Sequence, residues 1–365
     1  MITIGIDARE LLGETTGVGR YLGELLRRWI VRPDAANRTL LLYTPEPLAF
    51  MSGVPAAAAV REIVVGSGRG TWWEQTHLRR AVRANPPDVF FASAYTAPLA
   101  LGVPLAVAIH DVSFAAAPHW FRPREGARRR LLTRQAARAA DVIFTISEFS
   151  KREIVERLGV PAERIRVTYP SVTPRPPARR SPGEGALVLF VGSIFNRRRL
   201  PSTISAFAAA TARRPDARLV IAGADRSYPT LDLAGLAAEA GVASRVEIRN
   251  YVSEQDLDAL YARASVFVFL SEYEGFGLTP LEALSADVPI VVLDTPVARE
   301  VYGDAAWYVP PDTDVVSAAE AIRTLLEDDG SRARFLAHAP AILARYSWDT
   351  AASDTLAAIE GIVRA

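Results

Sequence analysis

The sequence predicts an α/β protein built from two doubly wound parallel sheets. Short β-branched runs alternate with amphipathic helical runs along nearly the whole chain, and one Pro-rich stretch interrupts the alternation near its middle. Glycine-bearing turns follow the first strand-like run on each side of that interruption. The 365 residues suffice for about two ordinary domains, and with 50% hydrophobic and 23% charged residues each can bury a core.

In the first half, residues 2–8 (ITIGIDA) read as a buried strand and residues 17–31 as an amphipathic helix, joined by the loop GETTGVGRY. Strands are predicted at 39–45, 61–66, 88–93, 104–111, 141–147 and 164–169, with helical runs in TWWEQTHLRRAVRAN, REGARRRLLTRQAARAA and EFSKREIVERLG. Residues 1–175 thus form a first Rossmann-like domain. Residues 171–185 (SVTPRPPARRSPGEG) lack apolar periodicity and read as a linker. Alternation then resumes over 186–346, with strands at 186–193, 217–223, 245–252, 265–270 and 289–294 and helices at 200–214, 231–241, 253–264 and 279–286. Helices at 314–328, 331–345 and 348–364 close the chain. Open α/β sheets bind ligands beyond the carboxyl ends of their strands, so a ligand held in a cleft between the two domains, with hinge closure around it, is expected.

Composition removes several chemistries. The chain has no cysteine, which excludes thiolate nucleophiles, disulfides and zinc-thiolate sites, and its four histidines (His77, His110, His119, His338) fall at no metal-ligand spacing. The single lysine, Lys151, sits in an amphipathic helical run and reads as solvated. No apolar run reaches the length of a membrane span, and Met1 leads directly into a buried-strand pattern, so the sequence reads as cytoplasmic. A net charge of +1 argues against general nucleic-acid binding. The charge is unevenly spread, with 26 basic and 16 acidic residues in 1–180 against 16 and 25 beyond, so the front half is expected to face something anionic.

One stretch gathers the chemistry: SEYEGFGLTPLEALSADVPIVVLDT, residues 271–295. Glu274 lies in its turn and Glu282 falls about two helical turns on, if a helix begins near Thr279 or Pro280. The backbone N–H groups of Phe276, Gly277, Leu278 and Thr279 would sit at the positive end of that helix and could cradle a diphosphate, with the glutamates accepting hydrogen bonds from hydroxyls on either side. The plain alternative is an ordinary strand-turn-helix with Glu282 in water.

A second loop, residues 192–199, carries Gly192, Ser193, Arg197, Arg198 and Arg199 after the first strand of the second domain, where guanidinium forks match phosphate oxygens. In the first loop, Gly17 and Gly19 begin a G-x-G, but Gly23 comes one place too late for the dinucleotide fingerprint. Close backbone approach to a phosphate or sugar fits that loop better, beside a plain turn into a helix. His110 and Asp111 end a first-domain strand, where the histidine points into the expected cleft or serves as a structural cap. Asp312-Thr313-Asp314 precedes a helical run and reads as an N-cap rather than a metal-binding D-x-D. Residues 121–140 carry seven arginines, including Arg128, Arg129, Arg130 and Arg134, with Leu131, Leu132 and alanines on the other face; that helix suits an anionic membrane surface or lipid-linked substrate, or is simply solvated.

These segments together resemble the retaining glycosyltransferases of GT-B fold that share an E-x7-E motif, family four of that class. The resemblance covers almost the whole chain: IGIDARELLGETTGVGRYL is similar to the opening strand and glycine loop, AIHDVSF to the acceptor-side histidine segment, GSIFNRRRL to the phosphate loop, and NYVSEQDLDALYARASVFVFLSEYEGFGLTPLEAL to the donor-site core. It implies that Ser193, Arg197 and Arg198 meet the donor diphosphate and Glu282 the ribose hydroxyls. It implies further that Glu274 holds the donor sugar, that the segment Gly275, Phe276, Gly277, Leu278, Thr279 contacts sugar and phosphate through its backbone, and that Tyr251 and Val252 read the base. Gly17 and Gly19 would approach the diphosphate from the first domain, His110 would touch the transferred sugar, and a final helix (347–365) would return to the first domain.

Three positions depart from the family pattern: Arg198 stands where lysine is usual, and Asn250 and Asp287 replace glycines. The resemblance implies a nucleotide-diphosphate sugar as co-substrate, GDP-mannose first and a UDP-sugar second, with no metal and no cofactor required. Retention would follow from attack on the face the leaving group departs, a donor phosphate oxygen taking the acceptor proton. The acceptor would be a glycan or lipid-linked glycan at the inner membrane face, in polysaccharide assembly, with peripheral contact to anionic lipid. A GT-B epimerase, a phosphorylase and a non-catalytic sugar-nucleotide-binding protein are the competing readings.

Overall fold

The computed structural model describes residues 1–13, 16–55, 58–68, 70–177 and 185–364. Two compact units emerge, one formed by Met1–Pro118, Pro123–Pro170 and Ser347–Ala365, the other by His119–Arg122 and Ser171–Tyr346.

The first unit holds a seven-stranded, all-parallel sheet: β1 (Ile2–Asp7), β2 (Arg38–Thr44), β3 (Val60–Val64), β4 (Val89–Ala92), β5 (Leu105–Ala108), β6 (Val142–Thr145) and β7 (Ile165–Val167), in the order β3-β2-β1-β4-β5-β6-β7. Its central strands are nearly continuous apolar runs because helices cover both faces. The helix Gly17–Val31 starts where the Thr16 side chain accepts from the Gly19 amide, and it buries Tyr21, Leu22, Leu25, Leu26 and Trp29 at helical spacing. The C-terminal helix Trp348–Arg364 packs against it, and the Trp29 indole donates to the Ala352 carbonyl at 2.8 Å.

The second unit holds six parallel strands: β8 (Leu187–Val191), β9 (Arg218–Ala222), β10 (Val246–Arg249), β11 (Val266–Phe269), β12 (Ile290–Leu293) and β13 (Ala306–Val309), in the order β10-β9-β8-β11-β12-β13. In each sheet the strand order reverses beside the first strand, between β1 and β4 and between β8 and β11. That reversal opens a crevice at the carboxyl ends, where doubly wound sheets take their ligands.

Several expectations need correction. The first unit ends at Pro170 rather than residue 175, and His119–Arg122 sides with the second unit. The start of the presumed linker is docked rather than loose: Ser171 donates to the Tyr346 carbonyl, and the Arg175 amide to Ser285 Oγ. The rest of it, residues 178–184, lies outside the described residues. The run at 331–345 divides into Asp329–Leu336 and Ala339–Leu343, the second helix opening beside Pro340. The helix Pro296–Tyr302 and strand β13 were not anticipated, although Thr295 followed by Pro296 is a capped helix start. On the arginine-rich helix Pro123–Ala139 the buried stripe is Gly126, Thr133, Ala136 and Ala137, while Leu131 stays 58% exposed among the arginines. The side chain of Asp312 caps nothing; Asp314 instead pairs with Arg199 at 3.2 Å.

The two glycines of the first loop differ in what surrounds them. A Cβ on Gly19 would lie 2.3 Å from the Glu10 carbonyl oxygen, whereas one on Gly17 meets nothing within 4 Å. Gly19→Ala is therefore expected to lower stability by about 1–3 kcal/mol in chemical denaturation, and Gly17→Ala to leave it nearly unchanged; equal losses in both would contradict this packing account.

Candidate active site

The loops that follow β8 and β11, the strands flanking the second unit's reversal, are the arginine loop and the Glu274 turn. They are tied together first by backbone, the Glu272 amide donating to the Arg197 carbonyl at 2.8 Å. The main side-chain tie is a largely buried ion pair, Arg198 Nε to Glu274 Oε1 at 2.9 Å. The Ser271 hydroxyl donates to the same Oε1, and Arg198 Nη1 donates to the Ser193 carbonyl, both at 2.8 Å. The Arg198 guanidinium also lies 5.0 Å from the Phe269 ring centre. Burial raises the Glu274 pKa, but the charges of Arg198 and Arg197 and the hydrogen bonds from Arg198 and Ser271 more than offset it, so the carboxyl titrates below its ordinary value.

Glycine makes this approach feasible. Gly192 has φ 139°, and a Cβ there would sit 2.3 Å from Arg198 Nη1. Arg197 donates from Nε to the Tyr273 carbonyl at 3.1 Å and lies over the Phe195 ring at 4.2 Å. Arg199 turns to Glu272, Asp314 and the Pro311 carbonyl, so of the three consecutive arginines Arg198 pairs with Glu274, Arg197 holds the adjoining Tyr273 carbonyl, and Arg199 faces away from both.

The helix Leu278–Ser285 begins one residue earlier than expected, directly after Gly277 at φ 95°. A Cβ on Gly277 would strike the Tyr302 hydroxyl, which donates to the Gly277 carbonyl at 2.9 Å. No side chain caps this helix, in contrast to the helices that start after Thr16, Ser147, Ser253 and Thr295. Gly275 and Phe276 are buried beneath the turn, and Leu278 and Thr279 are partly exposed at its edge.

Glu282 is not solvated; it is 2% exposed. Tyr261 donates to its Oε2 at 3.0 Å, and Arg175 Nη2 stands 3.4 Å from the same oxygen. Tyr251 and Val252 follow the edge strand β10; Tyr251 is largely exposed, and β10 stops at Arg249, short of both.

In the first unit, His110 follows β5 and is buried, its Nε2 3.1 Å from the Ser93 carbonyl, with Tyr21 and Tyr95 edge-on to the ring. A carbonyl only accepts, so Nε2 carries the hydrogen. Burial lowers the pKa, against the Ser93 bond and Asp111, so the imidazole is neutral at pH 7. Of the four arginines assigned to an anionic surface, Arg129 pairs with Glu125, Arg130 donates to the Phe114 carbonyl and Arg134 to the Arg157 carbonyl, while Arg128 is exposed.

Sequence reasoning missed three features. Arg175 was hidden in a stretch read as linker, and Tyr261 in the apolar pattern of its helix. The third is a buried cluster at the carboxyl end of β1: Arg9 bridges Asp7 at 3.0 Å and Glu74, which sits on a π-helical turn, Glu74–Leu78, and also accepts from Thr96 at 2.6 Å. The D-x-R of IDAR was the available signal. Among the described residues, no group of three or more His, Asp or Glu is placed to hold a metal ion, and no helix is long and apolar enough to cross a membrane.

Comparison with known proteins bears on these two sheets and their loops. Residues 15–175 match the family described as Glycosyltransferase Family 4, and residues 174–341 the family described as Glycosyl transferases group 1. O-antigen chain mannosyltransferase B of Escherichia coli is 29% identical over 260 residues, 68% of each chain. The GDP-mannose:cellobiosyl-diphosphopolyprenol alpha-mannosyltransferase of Xanthomonas campestris is 29% identical over 270 residues, 70% of this chain and 67% of that one. Other curated relatives are matched over less of their length, 58% and 60% in two of them. Among solved structures, Anabaena Alr3699/HepE in complex with UDP-glucose matches with a TM-score of 0.76 at 18% identity, covering 99% of this chain and 100% of that one, a likeness of fold.

The two all-parallel Rossmann-like sheets are those of the GT-B fold, and the two family matches with the curated relatives make this chain a glycosyltransferase. More narrowly it is family-4-like, its first part matching Glycosyltransferase Family 4 and its second part group 1.

The Asp7 cluster generates a pH dependence. Burial pushes the Asp7 carboxyl up to about 6 from 3.8, with Arg9 opposing the rise and Glu74 adding to it. The folded chain holds this proton to higher pH than the unfolded chain, so the group favours folding below about pH 4, and that contribution is lost as pH rises through 6. In denaturant titrations from pH 4 to 7.5, the wild type is expected to lose on the order of 3 kcal/mol relative to Asp7→Asn across that window; a constant offset between them would contradict the assignment.

Proposed function

We propose that the protein transfers a sugar, with retention of anomeric configuration and without a metal, from a nucleotide-diphosphate sugar to a glycan or lipid-linked glycan in polysaccharide assembly. The observation that carries this reading is the Arg198–Glu274 pair beside the uncapped start of the helix Leu278–Ser285. Departure of a nucleoside diphosphate builds negative charge on phosphate, and Arg197, Arg198 and a helix N-terminus are the groups suited to stabilise it. Glu274 is assigned to the donor sugar, the Gly275–Thr279 backbone to sugar and phosphates, Glu282 to the ribose hydroxyls, and Tyr251 and Val252 to the base. In the first unit, neutral His110 is assigned to the transferred sugar, and Gly17 and Gly19 to the diphosphate.

GDP-mannose is the first choice of donor, supported by two relatives named as mannosyltransferases, one of them for GDP-mannose. A UDP-sugar is the second, favoured by the fold match to a protein solved with UDP-glucose. The basic helix Pro123–Ala139, with Arg128 exposed, supports peripheral contact with an anionic inner membrane face.

Thermal stabilisation by GDP, UDP, ADP and their sugars tests the donor, since a ligand that binds only the native state raises stability with its concentration over Kd. GDP-mannose is expected to give the largest shift; no shift with any nucleotide would sink the reading. Glu274→Ala is expected to lower transfer by at least about 100-fold, and near-normal turnover would remove Glu274 from the mechanism. Arg197→Ala is expected to act mainly on donor affinity, read as a raised KM for the sugar nucleotide.

A further inference from the structure

Glu282 owes its position to a residue outside every motif. Arg175 is 9% exposed, and its backbone amide is fixed by Ser285 Oγ at 3.1 Å, a hydroxyl that itself donates to the Glu282 carbonyl at 2.8 Å. Its Nη1 spans Glu254 at 2.9 Å and Asp258 at 2.7 Å, and its Nη2 faces Glu282 Oε2 at 3.4 Å. The guanidinium also lies 5.5 Å from the centre of the Tyr261 ring, whose hydroxyl donates to that same Oε2.

The three carboxylates around Arg175 are unequal. The Glu254 and Asp258 side chains are 69% and 41% exposed, so water screens them, whereas that of Glu282 is 3% exposed and meets protein groups instead. Arg175 Nε is buried without a hydrogen-bond partner, so the fork is directed at the carboxylates and one donor is left unmet.

We propose that Arg175, carried in on the segment that follows the first unit's Pro170, is the positioning residue for Glu282: with Tyr261 it holds the carboxylate by Oε2 and thereby sets how strongly a nucleotide's ribose diol is bound. This rests on the assignment of Glu282 to the ribose hydroxyls. It makes the opening segment of the second unit part of the donor site, although the reacting atoms never touch it.

The test compares Kd for GDP and UDP with their 2′,3′-dideoxy counterparts. Wild type is expected to favour the ribose form of its preferred nucleotide by at least about tenfold, the worth of a hydrogen bond to a charged group. Arg175→Met and Glu282→Gln are both expected to collapse that ratio toward one, with dideoxy affinity nearly unchanged. Arg175→Lys restores part of the ratio, and Tyr261→Phe narrows it. If Arg175→Met does not fold, the Lys and Phe variants carry the same comparison. A ratio retained in the Arg175 variants but lost in Glu282→Gln overturns the inference, as does an equal loss for both nucleotide forms, which would mark Arg175 as a structural staple only. A ratio retained in Glu282→Gln overturns the ribose assignment itself, and the inference with it.

Discussion

The ion pair between Arg198 and Glu274 is the constraint on which the loops of the second unit's reversal depend. It joins loops from β8 and β11, which are neighbours in space but lie 76 residues apart in sequence. Both groups are largely buried, and leaving either charge alone there would cost about 3–5 kcal/mol. The surrounding residues follow from that requirement: Gly192 without a Cβ so that Nη1 can approach, Ser271 to share the carboxylate oxygen, and Gly277 shaped by the Tyr302 hydroxyl beneath it. A nucleotide-diphosphate sugar offers both partners a replacement, phosphate oxygens for the guanidinium and hydroxyls for the carboxylate.

The first unit repeats the plan with different chemistry. Its reversal lies between β1 and β4, and there the buried charges are those of Asp7, Arg9 and Glu74. They fix the chain just before residues 9–12, against which Gly19 packs, so the start of the helix Gly17–Val31 is set by an ion network on one side and a backbone contact on the other. Gly19 is thereby explained by packing within its own loop, whereas a Cβ on Gly17 would meet nothing within 4 Å.

Much of this was legible in the sequence because it is local. Parallel strands buried on both faces read as apolar runs, and the arginine loop and the Glu274 turn each stand directly after such a run. The rest depended on tertiary contact. Nothing in a Pro-rich run says that Arg175 turns back to a glutamate more than a hundred residues away, and Tyr261 looks like any apolar position of its helix until its hydroxyl meets Glu282. Arg199 reads like its neighbours, but its positive φ of 46° turns it toward Glu272 and Asp314. β13 was missed because four residues, AWYV, after a glycine turn carry too little periodicity to separate strand from loop.

The central claim is that Glu274 holds Arg198 in reserve for a diphosphate. Calorimetric titration of GDP and UDP, nucleotides without a sugar, into wild type and Glu274→Gln tests it most directly. Removing the carboxylate charge frees the guanidinium and removes no contact these ligands make, so the preferred nucleoside diphosphate should bind the variant several-fold more tightly. A marked loss of its affinity in Glu274→Gln would contradict the account.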